Sequence, residues 1–287
     1  MKKVRIVLPG GGVKGTFQVG FLQAMEQSGK YEVDHVYGTS VGALIAPFAA
    51  SGRVDRIATH FASLRSIEDI VVKWPWYVQI LPTPMRVLLK LGAFQGMKLA
   101  DQLTSLLADV PRREYENCSV VAWDLLNKRE TWWTSKHSAE EMKIGLKASS
   151  NLWLVVPPLK IENAHHYIDG GATELVPIST SADDKFDGIY VIIYCDKHRE
   201  VPTVREKAPG NALELMQMLH EDAYVQLSKR EVAAFAETKK AKVVQISPPK
   251  DIFKHAMEID QNKMQEFSRL GREAFFDFEK QTNVNTT

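Results

Sequence analysis

Val4-Arg5-Ile6-Val7-Leu8-Pro9-Gly10-Gly11-Gly12-Val13-Lys14-Gly15 stands near the head of the chain, and Val33-Asp34-His35-Val36-Tyr37-Gly38-Thr39-Ser40-Val41-Gly42 follows it. Each begins as a short β-branched apolar run that stops at glycine, the pattern of a buried strand entering a tight turn. A helical pattern comes next in both cases. Gly15–Ser28 carries Phe17, Phe21, Leu22 and Met25 at helical spacing, with Gly29 placed to cap it, and Ala43–Ala50 is a small-residue helix. Strand, turn and helix twice over predict an α/β sandwich with a mostly parallel central sheet.

Outward from this segment, Ile189–Cys195 is a continuous apolar run of the kind found in a central parallel strand. Val120–Trp133 predicts a hairpin turning near Asn127-Lys128, and Leu159–Ile168 a second one turning at Asn163-Ala164. Ser138 and Glu141 form a capping box for a helix to Leu146 or Lys147. A long amphipathic segment over Ala212–Lys239, a strand at Lys242–Ile246 and a helix around Asp260–Lys280 complete the pattern. No repeat or linker divides the chain. One domain is expected over 1–281, with 282–287 a frayed tail.

The 287 residues are 45% hydrophobic and 25% charged, which excludes a disordered or fibrous chain. Thirty-six Lys and Arg against 35 Asp and Glu leave a net charge of +1, so electrostatics gives no case for nucleic acid. Cys118 and Cys195 cannot build a disulfide framework, and no C-x-x-C or histidine cluster suggests zinc. Both read as buried thiols in a reducing compartment. Lys2 and Lys3 precede an apolar run, but Pro9 and the glycines end it short of the roughly 7–15 residues of a signal-peptide core. No stretch approaches the about 20 residues of a membrane span. A cytoplasmic protein is expected.

Three motifs carry chemistry. Gly10, Gly11, Gly12, Val13, Lys14 and Gly15 lie between a strand and a helix, and two readings stand. Gly10, Gly12 and Gly15 spell G-x-G-x-x-G, and Asp34 lies 19 residues past Gly15, close to a dinucleotide-binding fingerprint. Alternatively the amides at the helix start form an oxyanion hole. Both place amides against an anion, in one case the pyrophosphate of NAD(P) and in the other a developing alkoxide. The second motif is G-x-S-x-G at Gly38, Ser40 and Gly42, between strand and helix, the context of a nucleophile elbow. The third is Asp169-Gly170-Gly171, ending a short apolar strand; by itself it is a turn, and beside a nucleophile it becomes a candidate base.

In this order the motifs resemble those of the patatin-like phospholipase family, whose pattern is G-G-G-x-[RK]-G, then G-x-S-x-G, then D-G-[GA]. The likeness runs over Val4–Pro177 and extends to Ala148-Ser149-Ser150 followed by Pro157-Pro158. Leu175 stands where the family usually has asparagine, and Asn151 and Trp153 replace the more usual Ala and Pro, departures that bear on pocket shape and on support of the aspartate loop. The resemblance implies a three-layer α/β/α sandwich and hydrolysis of lipid carboxylic esters, of phospholipase A or lysophospholipase type. It also implies a Ser40–Asp169 dyad working through an acyl-enzyme, with no cofactor, metal or calcium. Amides of Gly11, Gly12 and Val13 would then meet the oxyanion, while Lys14 either adds positive potential or is an ordinary surface lysine.

A Ser–His–Asp triad would draw on His198, His220 or His255 after Asp169, although none sits in a recognisable catalytic loop. His165 and His166 read as structural. The stretch from Ile70 to Met97 is an apolar insertion with Trp74, Trp76, Tyr77 and Phe94, flanked by Arg86 and Lys90. It is either a buried cap over the sheet or a face for peripheral membrane contact with a lipid or lysolipid substrate.

Overall fold

The structure is a computed structural model. It describes residues 1–88, 93–153, 155–162, 164–178, 186–197, 212–253 and 255–284, with 86–88, 212–225 and 283–284 described as backbone alone. β1 (Lys2–Leu8) leads through the glycine turn into α1 (Thr16–Ser28), which Gly29 closes in the left-handed conformation at φ 62°. β2 (Tyr31–Thr39) then runs into α2 (Val41–Ala50), followed by α3 (Val54–Ser63). The insertion holds β3 (Val71–Val72), the short helices α4 (Trp76–Gln79) and α5 (Thr83–Leu88), and β4 (Gly96–Met97), which pairs antiparallel with β3. After α6 (Lys98–Leu106) come β5 (Cys118–Asp124), β6 (Arg129–Trp133), α7 (Ala139–Ser149), β7 (Leu159–Ile161) and β8 (His165–Asp169). β9 (Ile189–Ile193), α8 (Ala212–Lys239), β10 (Lys242–Ile246) and α9 (Gln261–Val284) follow.

The main sheet runs in the order β10-β9-β1-β2-β5-β8-β7, with β6 also on β5. β10, β9, β1, β2 and β5 are parallel, as their helical crossovers require. The other end is antiparallel. β5–β6 and β7–β8 are joined by turns far too short for a parallel crossover, so the sheet is mixed rather than parallel throughout. The expected turn at Asn127-Lys128 is present, with Lys128 at φ 49°, whereas Asn163 lies outside the described residues.

The register on β5 brings distant segments together. β6 pairs with 120–124, β2 with 118–121 and β8 with 122–124. Both β2 and β8 overlap β6, so both occupy the opposite edge of β5. They run toward each other along it, β2 ending with Thr39 opposite Val121 and β8 with Asp169 opposite Ala122. The residue after β2 is Ser40.

Alternation along the strands loads both faces of the sheet. Val4, Ile6, Leu8, Val191 and Ile193 join one buried cluster with Phe17, Phe21, Leu44, Ile45 and Phe267. Val7, Tyr37, Tyr190 and Ile192 join a second with Val232 and Phe235 of α8. Helices cover both sides, giving the three layers. α1 and α9 approach backbone to backbone: a Cβ on Gly20 would lie 2.0 Å from the Ser268 carbonyl oxygen, and one on Gly271 2.1 Å from that of Phe17. Thr282 departs from the expected frayed tail. It is buried in α9, where its carbonyl accepts from Lys2 Nζ at 2.9 Å and its hydroxyl donates to Phe278 O at 3.1 Å.

Candidate active site

Ser40 sits between β2 and α2 at φ 57°, ψ −124°, a conformation that costs an L-residue of order 1–3 kcal/mol and persists only where the surroundings impose it. The flanking glycines show how it is imposed. A Cβ on Gly38 would lie 2.5 Å from the Gly42 carbonyl oxygen, and one on Gly42 2.0 Å from that of Leu8, so no other side chain fits either position. The Ser40 amide donates to Ser149 Oγ at 3.0 Å. The glycine turn covers the serine from the other side, since a Cβ on Gly10 would lie 2.9 Å from Ser40 Cβ and 3.5 Å from its Oγ.

Asp169, 2% exposed, faces this elbow. Its Oδ1 accepts the Gly171 amide at 2.7 Å and its own amide donates to the Asn151 carbonyl at 2.9 Å. Oδ2 is buried and without a hydrogen-bond partner among the described residues. Burial pushes the carboxyl up to about 7, against the Ser40 hydroxyl and the Gly171 amide, which pull it down. The Ser40 hydroxyl is therefore close enough to act on the carboxylate, yet outside hydrogen-bond geometry. Gly170 lets the turn press on β5, where a Cβ would come within 2.2 Å of the Val121 carbonyl oxygen.

The glycine turn is fastened at several points. Gln18 Nε2 donates to the Pro9 and Ile193 carbonyls at 2.9 and 2.8 Å. Lys14 is not a surface lysine: it is 9% exposed and paired with Asp196 beyond the end of β9. Of the amides expected at an oxyanion, those of Gly11 and Gly12 enter no hydrogen bond among the described residues. That of Val13 differs from expectation. It donates to the Ala256 carbonyl at 2.8 Å, because the segment before α9 lies on the turn where Gly12 bends at φ 59°. The Lys14 amide turns back to Gly11 O at 3.3 Å.

The remaining sequence candidates lie elsewhere. Asp34 is in the body of β2, ion-paired with Arg5 at 2.6 Å, rather than at the carboxyl edge of the sheet where a dinucleotide ribose would need it. His165 Nδ1 lies 2.6 Å from buried Asp124 Oδ2, and His255 is exposed beside Ala256. His198 is outside the described residues, and for His220 only the helical backbone is described. No histidine contributes to the shift of Asp169. Among the described residues, no group of three or more His, Cys, Asp and Glu could hold a metal ion. Ser149, Asn151, Asp196 and Ala256 form the surroundings that sequence reasoning did not assign. Ser149 and Asn151 alone carried a signal, in the stretch following Ala148.

Uncharacterized NTE family proteins of Mycobacterium bovis and Mycobacterium tuberculosis are 23% identical over 181 residues, 63% of this chain and 46% of theirs, so the chain spans about half the length of these relatives. VipD from Legionella pneumophila aligns over 96% of this chain and 66% of its own, at 13% identity and a TM-score of 0.47. ExoU, in its heterodimeric complex with SpcU from the type III secretion system of Pseudomonas aeruginosa, aligns over 98% and 51%, at 14% identity and a TM-score of 0.41. The patatin-like phospholipase family model matches residues 6–181, which take in the glycine turn, the Ser40 elbow and the Asp169 turn, and the chain belongs to that family.

Proposed function

We propose that this protein hydrolyses carboxylic esters of lipids, of phospholipase A or lysophospholipase type, through Ser40 and Asp169. The observation that carries this reading is a fully buried carboxyl poised at about 7 beside a serine in a strained elbow. An ordinary aspartate, near 3.9, is too weak a base for an alcohol, whereas one raised to neutrality is matched to the task. Ser40 Oγ attacks the ester carbonyl and its proton passes to Asp169. The tetrahedral oxyanion is met by the Gly11 and Gly12 amides at the start of the helical segment, and one such donor is worth about 3–4 kcal/mol. Collapse expels the alcohol, which takes the proton from Asp169, and leaves an acyl-enzyme. Water then attacks, Asp169 accepts its proton, and release of the fatty acid restores Ser40 with that proton. No cofactor or calcium enters these steps.

The insertion supports a lipid–water interface as the place of action. Trp76, Tyr77 and Ile80 are 75%, 62% and 71% exposed, and Met85 is 47% exposed. An exposed aromatic and aliphatic patch of this kind suits the headgroup boundary. Arg86 and Lys90, expected to flank it, have no described side chains. No helix among the described residues is long and apolar enough to cross a membrane.

A fluorophosphonate probe tests the chemistry. It should label the native chain and leave Ser40→Ala unlabelled, while alanine at His165, His166 or His255 should leave labelling in place. Equal labelling of the native chain and Ser40→Ala would refute the assignment.

A further inference from the structure

We infer that the tripeptide Ser149–Asn151 is the clamp that sets the distance between Ser40 and Asp169, with Ser149 and Asn151 as its positioning residues. The inference rests on the dyad reading above. Nothing in the covalent chain links the two groups closely, and the two strands that carry them meet end to end on one edge of β5 without pairing with each other. Each needs a separate restraint, and both find it in the same place. Ser149, fully buried at the end of α7, accepts the Ser40 amide on its hydroxyl oxygen at 3.0 Å. Two residues on, the Asn151 carbonyl accepts the Asp169 amide at 2.9 Å.

The clamp is anchored at both ends. The Ser150 hydroxyl donates to Leu146 O at 2.8 Å, tying the tripeptide to α7. Asn151 Nδ2 donates to Pro157 O at 2.9 Å and to Tyr167 O at 3.2 Å, tying it to β8 two residues before Asp169. An alanine at position 151 would keep the carbonyl and lose both anchors. The clamp also reaches the insertion: the Val155 amide donates to Leu152 O at 3.2 Å, and Val155 O accepts the Phe94 amide at 2.8 Å.

The test measures hydrolysis of p-nitrophenyl butyrate from pH 5 to 9 by the full chain and by Ser149→Ala and Asn151→Ala. Misplacing the nucleophile from its base by an ångström should lower kcat by about 10- to 100-fold with KM little changed. The acid limb should move as well. The Ser40 hydroxyl holds the Asp169 carboxyl down, and withdrawing it should shift the limb to higher pH. Asp124 on β5, His165 and His166 on β8, Lys143 and Lys147 on α7 and Glu174 after the turn are charged or titratable groups on the elements around Asp169, and none contributes to its shift. A lower kcat with the limb unmoved is what a purely structural role would give, and it would overturn the clamp, as would folded variants at native rates. Should Ser149→Ala fail to fold, Asn151→Ala carries the same readings. A native chain that hydrolyses nothing and takes no fluorophosphonate at Ser40 would overturn the acyl-hydrolase reading. Native activity with unaffected variants would overturn the clamp alone.

Discussion

Asp169→Asn separates what the carboxylate does for catalysis from what it costs the fold. Burial raises the carboxyl from 3.8 to about 7 in the folded chain, and each factor of ten in proton affinity is worth about 1.4 kcal/mol, so ionised Asp169 destabilises the native state by ~4 kcal/mol. The sign follows from proton counting. Between about 3.8 and 7 the folded chain holds a proton that the unfolded chain has lost, so stability falls as pH rises. The loss begins near 3.8, is complete above about 7 and is absent at lower pH. Asparagine has nearly the same shape, can still accept the Gly171 amide, and carries no charge at any pH. Urea denaturation at pH 4 and pH 8 should give similar stabilities for the two proteins at the lower pH and an advantage to Asp169→Asn at the higher, up to ~4 kcal/mol. Ester hydrolysis should be nearly abolished in the same variant, and in the native chain it should rise with pH through about 7. Stabilities that coincide at both pH values would refute a buried carboxyl with raised affinity for its proton, and with it the reason Asp169 can serve as base.

Three further outcomes are expected. Ser40→Gly and Ser40→Ala should both be inactive, but glycine relieves the strain at φ 57°, so it should resist urea better than alanine by ~1 kcal/mol; equal stabilities would mean the elbow stores no strain. Hydrolysis should survive EDTA, since amides stabilise the oxyanion, and full loss restored by calcium would show a metal in that role. Trp76→Glu with Ile80→Glu should lower co-sedimentation with phosphatidylcholine vesicles several-fold at an unchanged melting temperature, and undiminished binding would remove the insertion from the interface.

The chemical groups are legible in the sequence because each is local. Glycine at 38 is demanded by the Gly42 carbonyl four residues on, and the turn at 10–15 by its junction of strand and helix. The parallel half of the sheet is legible for the same reason, since long apolar runs alternate with helices. What joins the groups is not local. The sharing of one edge of β5 by β2 and β8 depends on register, which neither strand expresses alone. Lys14 reads equally as a surface residue until Asp196, 182 positions away, closes on it, and the Val13 amide reads as free until Ala256 is laid across the turn. Asn151 is the instructive case. It shows in the sequence only as a departure from a family pattern, and its two side-chain hydrogen bonds account for the departure.

The glycine contact between α1 and α9 bears on when the protein can become itself. Phe17 and Phe21 are covered by Phe267, Phe275 and Phe278, which are made some 250 residues later. At about 5–20 residues per second, the first helix waits roughly 12–50 s on the ribosome for its cover. Ser40 and Asp169 emerge well before that, but β1 still lacks β9 as a neighbour and β9 lacks β10. The nascent chain thus carries Ser40 and Asp169 with no finished sheet to hold them together. The hazard during synthesis is therefore the phenylalanine cluster of α1, uncovered until α9 follows.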